Sequence, residues 1–174
     1  MKLKQITNKS QITKQEPDTY ILDSDEKTAR SIITSLKQKN FKGKIAVLGR
    51  DNLFNRRALE TLNIDFFISP ERELKPGQRK DTLKQRDSGL NHILGKIAAK
   101  NKIAIVIDFP SIQKIQNKKQ KALRLARVIQ NIKICRKAKC LIKIWDLTNK
   151  SNSRILKSFG FSLGMSSQQV KSAV

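Results

Sequence analysis

Three aspartates stand where an α/β protein could hold a metal ion. Asp23, Asp108 and Asp146 each end or follow a short apolar run, so the ends of strands could bring their carboxylates together. Carboxylate oxygens are ligands that magnesium prefers. Aspartate is also common as a helix cap and as an acceptor for backbone N–H groups in turns. We expect this structural role, and a magnesium site built from the three residues is the alternative.

Histidine and cysteine, which most often ligate transition metals, are few. His92 is the only histidine, whereas metal-dependent hydrolysis on a β/α barrel uses clusters of histidines and carboxylates. Cys135 and Cys140 are the only cysteines, and two ligands do not complete a tetrahedral zinc site. Glycine-rich phosphate loops, nucleophile elbows and H-E-x-x-H segments do not occur in the sequence. The sequence predicts no catalytic residues, no metal or cofactor held by the protein itself, and two buried reduced thiols.

Charge is the strongest signal in the sequence. The 174 residues include 37 Lys or Arg and 14 Asp or Glu, which gives a net charge of +23. Residues 110–174 carry 15 of the basic residues and a single acid. Such a surface attracts polyanions, and phosphate backbones come first because each neutralised phosphate releases a counterion. A compositional drift toward lysine is the alternative explanation. With only nine aromatic residues, binding should depend on phosphates and shape more than on stacked bases.

A long basic helix is predicted over residues 117–139. Its apolar stripe consists of Ala122, Leu125, Ala126, Ile129 and Ile132. The opposite row holds Gln120, Arg124, Arg127 and Asn131 at i, i+4, i+7 and i+11. We expect this row to be exposed, because it lies opposite the apolar stripe. Its arginines could then bind phosphate oxygens in a bidentate manner. A solvated face whose cations offset the helix dipole is the alternative.

A second basic region precedes the helix predicted from residue 88 or 89. Residues 70–88 form a long polar loop, and loops of this length inside a compact domain are often functional. His92 falls in the first helical turn, away from the apolar stripe of Leu90, Ile93 and Leu94. We expect Arg86, His92 and Lys100 to lie on one accessible surface beside the loop.

Strands and helices alternate along the chain, which predicts an α/β fold around a parallel sheet. Strands are expected at residues 20–23, 44–48, 64–69, 103–109 and 141–145, with a doubtful one at 82–85. Residues 1–17 are polar and are expected to form a flexible basic arm ahead of one domain, 18–174. Neither a signal peptide nor an apolar run near the ~20 residues of a membrane span is visible, so we expect a soluble, cytoplasmic protein that does not bind membranes.

Two linked blocks resemble a known family. RDSGLNHILGKIAAKNKIAIVIDF (86–109) looks like the signature segment of the archaeal and eukaryotic ribonuclease P (RNase P) protein component 3 family. KALRLARVIQNIKICRKAKCLIKI (121–144) is similar to the long helix and following strand of that family. LGMSSQQV (163–170) adds a weaker match near the end. The resemblance covers residues 86–174 well and residues 20–69 by the order of elements only.

This resemblance implies a fold, a function and partners. The fold would be a TIM-like β/α barrel, and the chain would be a non-catalytic subunit that binds and stabilises the RNA of RNase P. The holoenzyme removes the 5′ leader from precursor tRNA, with cleavage carried out by the RNA and its bound magnesium. The implied partners are the RNase P RNA, RNase P protein component 2 and the other protein subunits, and indirectly precursor tRNA. Together with the charge pattern, the resemblance singles out RNA-binding candidates: Arg86, His92, Lys100, Lys121, Arg124, Arg127, Asn131, Arg136 and Lys137.

The sequence also departs from the family pattern. A full TIM barrel takes about 250 residues, so 174 residues predict a reduced or incomplete barrel. The Ser- and Gly-rich stretch after the last strand is replaced by WDLTNKSNS (145–153). A generic structured-RNA-binding protein is one alternative function. A metal-dependent phosphoesterase of the related barrel superfamily is another, although the histidine and carboxylate ligands it needs are missing.

Overall fold

A computed structural model describes residues 2–13, 17–75, 77–82, 84–148 and 151–174. In these residues six strands alternate with helices. The strands are β1 (Leu3–Ile6), β2 (Thr19–Leu22), β3 (Lys44–Leu48), β4 (Phe66–Ile68), β5 (Ala104–Asp108) and β6 (Ile142–Trp145). The helices are α1 (Glu26–Gln38), α2 (Asn52–Thr61), α3 (His92–Lys100), α4 (Phe109–Gln113), α5 (Lys118–Ala138), α6 (Ser153–Ser162) and α7 (Ser167–Ala173), with one 3₁₀ turn at Lys9–Gln11.

The strands form one parallel sheet in the order in which they occur along the chain. One face is covered by the helices, whose buried residues form a single large core with the strands. On the other face, side chains of the strands pack against one another in a smaller apolar cluster that includes Ile21, Leu48, Val106 and Trp145. Helices outside and strand side chains inside are the arrangement of a β/α barrel. The predicted reduced, TIM-like barrel is confirmed, and the sheet is not closed, since no ladder joins β1 to β6 within the described residues.

The flexible arm predicted for residues 1–17 is wrong for residues 3–6. These residues form β1, which pairs with β2 in parallel register, and Ile6 is buried in the main core. The segment LKQI has only two apolar residues, so it carries little hydrophobic signal, and its stability comes from backbone pairing to β2. The boundary predicted at residue 18 therefore cuts through the sheet.

Two further expectations about the elements change. The doubtful strand at residues 82–85 is wrong, because Thr82 donates its backbone N–H to the carbonyl of Gln85 and closes a turn instead. The third helix starts later than expected, since Asn91 caps it by accepting from the backbone of Leu94. As a result Ile93, expected in the buried stripe, is 55% exposed. Ser166 caps α7, because its side chain accepts from the backbone N–H of Gln169.

The cysteines follow the prediction. Cys135 and Cys140 are both buried and free. They flank the end of α5, where Lys139 is left-handed and the backbone N–H of Cys140 bonds to the carbonyl of Cys135. No helix in the described part of the chain is long and apolar enough to cross a membrane.

Gly89 permits the close approach of two segments of the loop that joins β4 to α3. Its φ is +69°, and a Cβ atom built on it would lie 1.9 Å from the carbonyl oxygen of Pro70. Gly164 has a similar φ of +80°, but nothing lies within 4 Å of the position that a Cβ atom would take there. The two glycines therefore share the same backbone requirement and differ in the space around them.

We predict that Gly89→Ala destabilises the protein more than Gly164→Ala does. Left-handed backbone costs an alanine about 1–2 kcal/mol at either position. The clash with Pro70 should add about 1–3 kcal/mol at position 89 only. Urea denaturation of both variants measures the difference in the free energy of unfolding, and equal losses would contradict the close approach.

Candidate nucleic-acid interface

The loop between β4 and α3, residues 69–91 without 76 and 83, is built around one buried guanidinium. We call it the connecting loop. The Arg79 side chain is only 1% exposed and pairs with Asp87 at 3.4 Å. Its other acceptors are the side chain of Asn52 and the carbonyls of Arg50, Pro70 and Arg72. Burial lowers the pKa of Arg79 below its usual value, and the nearby Asp87 opposes that shift. One cation thus satisfies carbonyls from separate segments of the chain.

Two arginines of α5 hold the same loop from the other side. Arg127 is 4% exposed, and it pairs with Asp81 at 3.0 Å and with Glu73 at 3.1 Å. Burial alone would lower the pKa of Arg127, but the hydrogen bonds to these two carboxylates raise it. Arg124 pairs with the buried Glu71 at 3.3 Å. Glu71, Glu73 and Asp81 of the connecting loop are therefore neutralised by arginines of α5, whereas Asp87 pairs with Arg79 of the loop itself.

The amides of α5 complete this attachment. Gln130 accepts from the backbone N–H of Arg86 at 2.9 Å and donates to its carbonyl at 2.7 Å. Asn131, which is 2% exposed, donates to the carbonyl of Ser88 at 3.2 Å. Both amides bind the backbone of the connecting loop, which is a structural role.

The expectation of an exposed row on α5 is therefore wrong for Arg124, Arg127 and Asn131, whereas Gln120 is exposed as expected. Arg127 and Asn131 are buried and Arg124 is half-buried, because this row faces the connecting loop. Of the stripe predicted to be core, Ile132 is buried but Ala122 is exposed. Periodicity separates polar from apolar faces, yet it cannot show that a distant loop supplies carboxylates to the polar face.

The exposed basic surface lies instead where α3 and α5 cross. The crossing is close, because a Cβ on Gly95 would lie 2.9 Å from a methyl carbon of Ile134 and 3.1 Å from Ala138. Neither helix contains Asp or Glu. Four exposed lysines flank the crossing, and we call them the lysine seam: Lys96 and Lys100 on α3, and Lys133 and Lys137 on α5.

The remaining candidates lie outside the lysine seam. His92 is exposed at the start of α3, one turn before Lys96, and Arg86 is half-buried in the connecting loop. Lys121 donates to the carbonyl of Gln113 at 3.1 Å. Arg136 is exposed and bonds to Gln169 at 2.9 Å.

Two lysines of the seam, Lys96 and Lys133, were not among the candidates predicted from the sequence. The i, i+4, i+8 spacing of His92, Lys96 and Lys100 was the signal for Lys96. The i, i+4 spacing of Lys133 and Lys137 was the corresponding signal on α5.

The three aspartates do not gather into a metal site. Asp23 pairs with Arg50 at 3.2 Å and with Arg72 at 3.1 Å. Asp108 caps α4, and Asp146 accepts hydrogen bonds from Thr148 and Ser151. Within the described ranges no three His, Cys, Asp or Glu side chains are placed to hold a metal ion.

Comparison with known proteins relates the chain to one family. Ribonuclease P protein component 3 of Methanococcus maripaludis strain C6 is 32% identical over 82 residues, which is 45% of this chain and 31% of that protein. The protein of the same name from Methanococcoides burtonii is 36% identical over 76 residues, 44% of this chain and 27% of that protein. The chain has homologues in the ribonuclease P protein component 3 family. The predicted resemblance is confirmed, and the match spans less than a third of each relative.

A structural match supports the fold. A chain in the cryo-EM structure of archaeal ribonuclease P with mature tRNA superposes with a TM-score of 0.65 at 20% identity. The superposition covers 88% of this chain and 63% of that chain. No protein-family model matches the sequence.

We predict that Arg79→Ala strongly destabilises the protein, because removal of one partner leaves buried carbonyls and Asp87 unpaired. Such losses cost about 3–5 kcal/mol. Arg56→Ala is the matched control, since its side chain is 67% exposed and pairs with Glu60 on the surface, where ion pairs contribute under about 1 kcal/mol. Chemical denaturation gives both values, and similar losses would show that Arg79 does not organise the connecting loop.

A second prediction concerns Asp146 and pH. Burial raises its pKa, but hydrogen bonds from Thr148 and Ser151 outweigh burial and hold the pKa well below 3.8. A lowered folded-state pKa stabilises the protein above the unfolded value and loses that effect as the pH falls. Asp146→Asn should therefore lower the melting temperature at neutral pH. The difference in melting temperature between the wild type and the variant should narrow below pH 3.8. Melting curves measured across this range check it, and a gap independent of pH would contradict it.

Proposed function

We propose that the chain is a non-catalytic protein subunit of ribonuclease P, which binds and stabilises the catalytic RNA that removes the 5′ leader from precursor tRNA. The observation that carries the proposal is the lysine seam on two acid-free helices, α3 and α5. The homologues named ribonuclease P protein component 3 supply the identity of the RNA.

The physical basis is the separation of two sets of cations. The arginines of α5 that face the connecting loop are paired with Glu71, Glu73 and Asp81. The lysines of the seam project from helices that offer no counter-charge, so a phosphate backbone is a suitable partner for them. Lysine ammonium groups act as mobile point charges. They are therefore suited to contacts with the phosphate backbone and the shape of an RNA more than to recognition of particular bases.

The proposal extends to partners and chemistry. The chain would work with ribonuclease P RNA, RNase P protein component 2 and further protein subunits, and would meet precursor tRNA indirectly, in the cytoplasm. Cleavage would belong to the RNA and its bound magnesium, and the isolated chain would be inactive. The carboxylates of Asp23, Asp108 and Asp146 are engaged in ion pairs, caps and turns, which agrees with a non-catalytic role.

We predict that the triple variant Lys96→Ala/Lys100→Ala/Lys137→Ala weakens binding to ribonuclease P RNA and reduces cleavage of precursor tRNA by the reconstituted enzyme. Each lost phosphate contact should reduce the dependence of log K on log salt by about 0.7–0.9, so three contacts should reduce it by about 2–3. Titrations at several salt concentrations measure this slope.

The control is the triple variant Lys27→Ala/Lys37→Ala/Lys39→Ala. It removes the same charge from exposed lysines of α1 and its C-cap, outside the α3–α5 crossing. It should leave the slope and cleavage near wild type. Equal effects of the two variants would show that RNA binding depends on the net charge of the protein and not on the position of the seam lysines. Equal binding of the wild-type chain to unrelated structured RNAs would favour a generic RNA-binding protein.

A further inference from the structure

A cleft of about 650 Å³ lies beside the lysine seam and is not used by the function proposed above. It is bounded by the start of α2, the end of the connecting loop and the first turn of α3. We call it the side cleft.

The lip of the side cleft is apolar and open to solvent. Leu53 on α2 is 60% exposed and Ile93 on α3 is 55% exposed, and both line the cleft. Large aliphatic side chains exposed this far beside a concave surface are typical of binding sites when they occur together. The cleft can therefore receive an apolar or flat group between two aliphatic side chains.

The charge of the side cleft favours an anionic occupant. Arg56, Lys80 and Arg86 line it, and so does Asp87. Arg56 is paired with Glu60 at 2.9 Å. The carboxylate of Asp87 is already engaged, because it accepts from Arg79, from Asn52 at 3.0 Å and from the backbone of Lys80 at 3.0 Å. Two cations thus remain for an incoming group, beside the positive end of the α3 dipole.

The side cleft also continues into the lysine seam. Ile93, Lys96 and Lys100 follow the i, i+3, i+7 spacing of one helical face, so the apolar lip and two seam lysines are neighbours along α3. Successive positions four residues apart on a helix are separated by about 6 Å. An RNA strand whose phosphates contact these lysines in succession would pass over the side cleft.

We propose that the side cleft holds one unpaired nucleotide of the bound RNA, with its base between Leu53 and Ile93 and its phosphate on Lys80 and Arg86. This inference rests on the proposed function and adds a place where the protein distinguishes single-stranded from duplex RNA. Unstacked bases are the usual targets of RNA recognition by proteins. The side chain of Gln85 and the side-chain N–H groups of Asn91, whose oxygen caps α3, line the cleft where they can meet a base edge. An acidic peptide is the competing occupant, and it lacks the continuity with the seam.

The test uses neutral substitutions so that net charge does not change. Leu53→Ser/Ile93→Ser alters the lip, and Leu141→Ser/Phe161→Ser is the matched control, because those side chains are 54% and 53% exposed and do not line the cleft. The probes are a short fluorescent oligouridylate and an RNA duplex of the same length. The lip variant should bind oligouridylate about tenfold more weakly than the control, a change of about 1.4 kcal/mol, and should bind the duplex equally well. Melting curves verify that both variants are folded.

The outcomes separate this inference from the proposed function. An equal loss for both probes, or no loss for oligouridylate, would overturn the side cleft as a nucleotide site. Retained oligouridylate binding with loss of another protein subunit from the reconstituted enzyme would make it a protein-docking site and also overturn it. The proposed function itself fails if the wild-type chain binds unrelated structured RNAs as well as ribonuclease P RNA, or if it does not support cleavage of precursor tRNA.

Discussion

The buried guanidinium of Arg79 is the interaction on which the rest of the functional surface depends. It joins the carbonyls of Arg50, Pro70 and Arg72 and an ion pair with Asp87. A loop this long and polar has little apolar surface to bury, so hydrogen bonds to one central cation replace a hydrophobic core. The same loop leads into α3, and its geometry sets where that helix begins and which residues it exposes.

A protein with net charge +23 has few acids to distribute among its cations. The structure pairs Glu71, Glu73 and Asp81 with the arginines of α5, and of these acids Glu71 is buried and Asp81 is half-buried. Acids placed in this way stabilise the connecting loop, and the positive charge of the lysines at the α3–α5 crossing is not balanced by acids of these two helices. Around the connecting loop, arginine and lysine consequently have different roles. The planar, bidentate groups of Arg79, Arg124 and Arg127 hold the loop, and the flexible ammonium groups of the lysine seam face outward.

The sequence predicted the alternation of strands and helices from β2 onward and the long helix α5, and the family resemblance implied the barrel-like class. It failed where partners are far apart in the chain. Arg127 and Asp81 are 46 residues apart, and no local pattern shows that they meet. Helical periodicity alone therefore predicts that the arginine row is exposed. β1 was missed because the apolar content of LKQI is low and the partner strand begins at Thr19. His92 and Lys100 were placed correctly on the surface, since a single helical stripe decides their exposure.

The separation of buried arginines from exposed lysines gives the two sets different responses to dissolved ions. At physiological ionic strength the screening length is about 8 Å, so mobile ions surround the lysine seam and compete for it. They do not enter the space between Arg127 and its carboxylates, where the side chain is 4% exposed. Ionic strength can therefore adjust how tightly the surface holds a polyanion while the scaffold that shapes this surface stays intact.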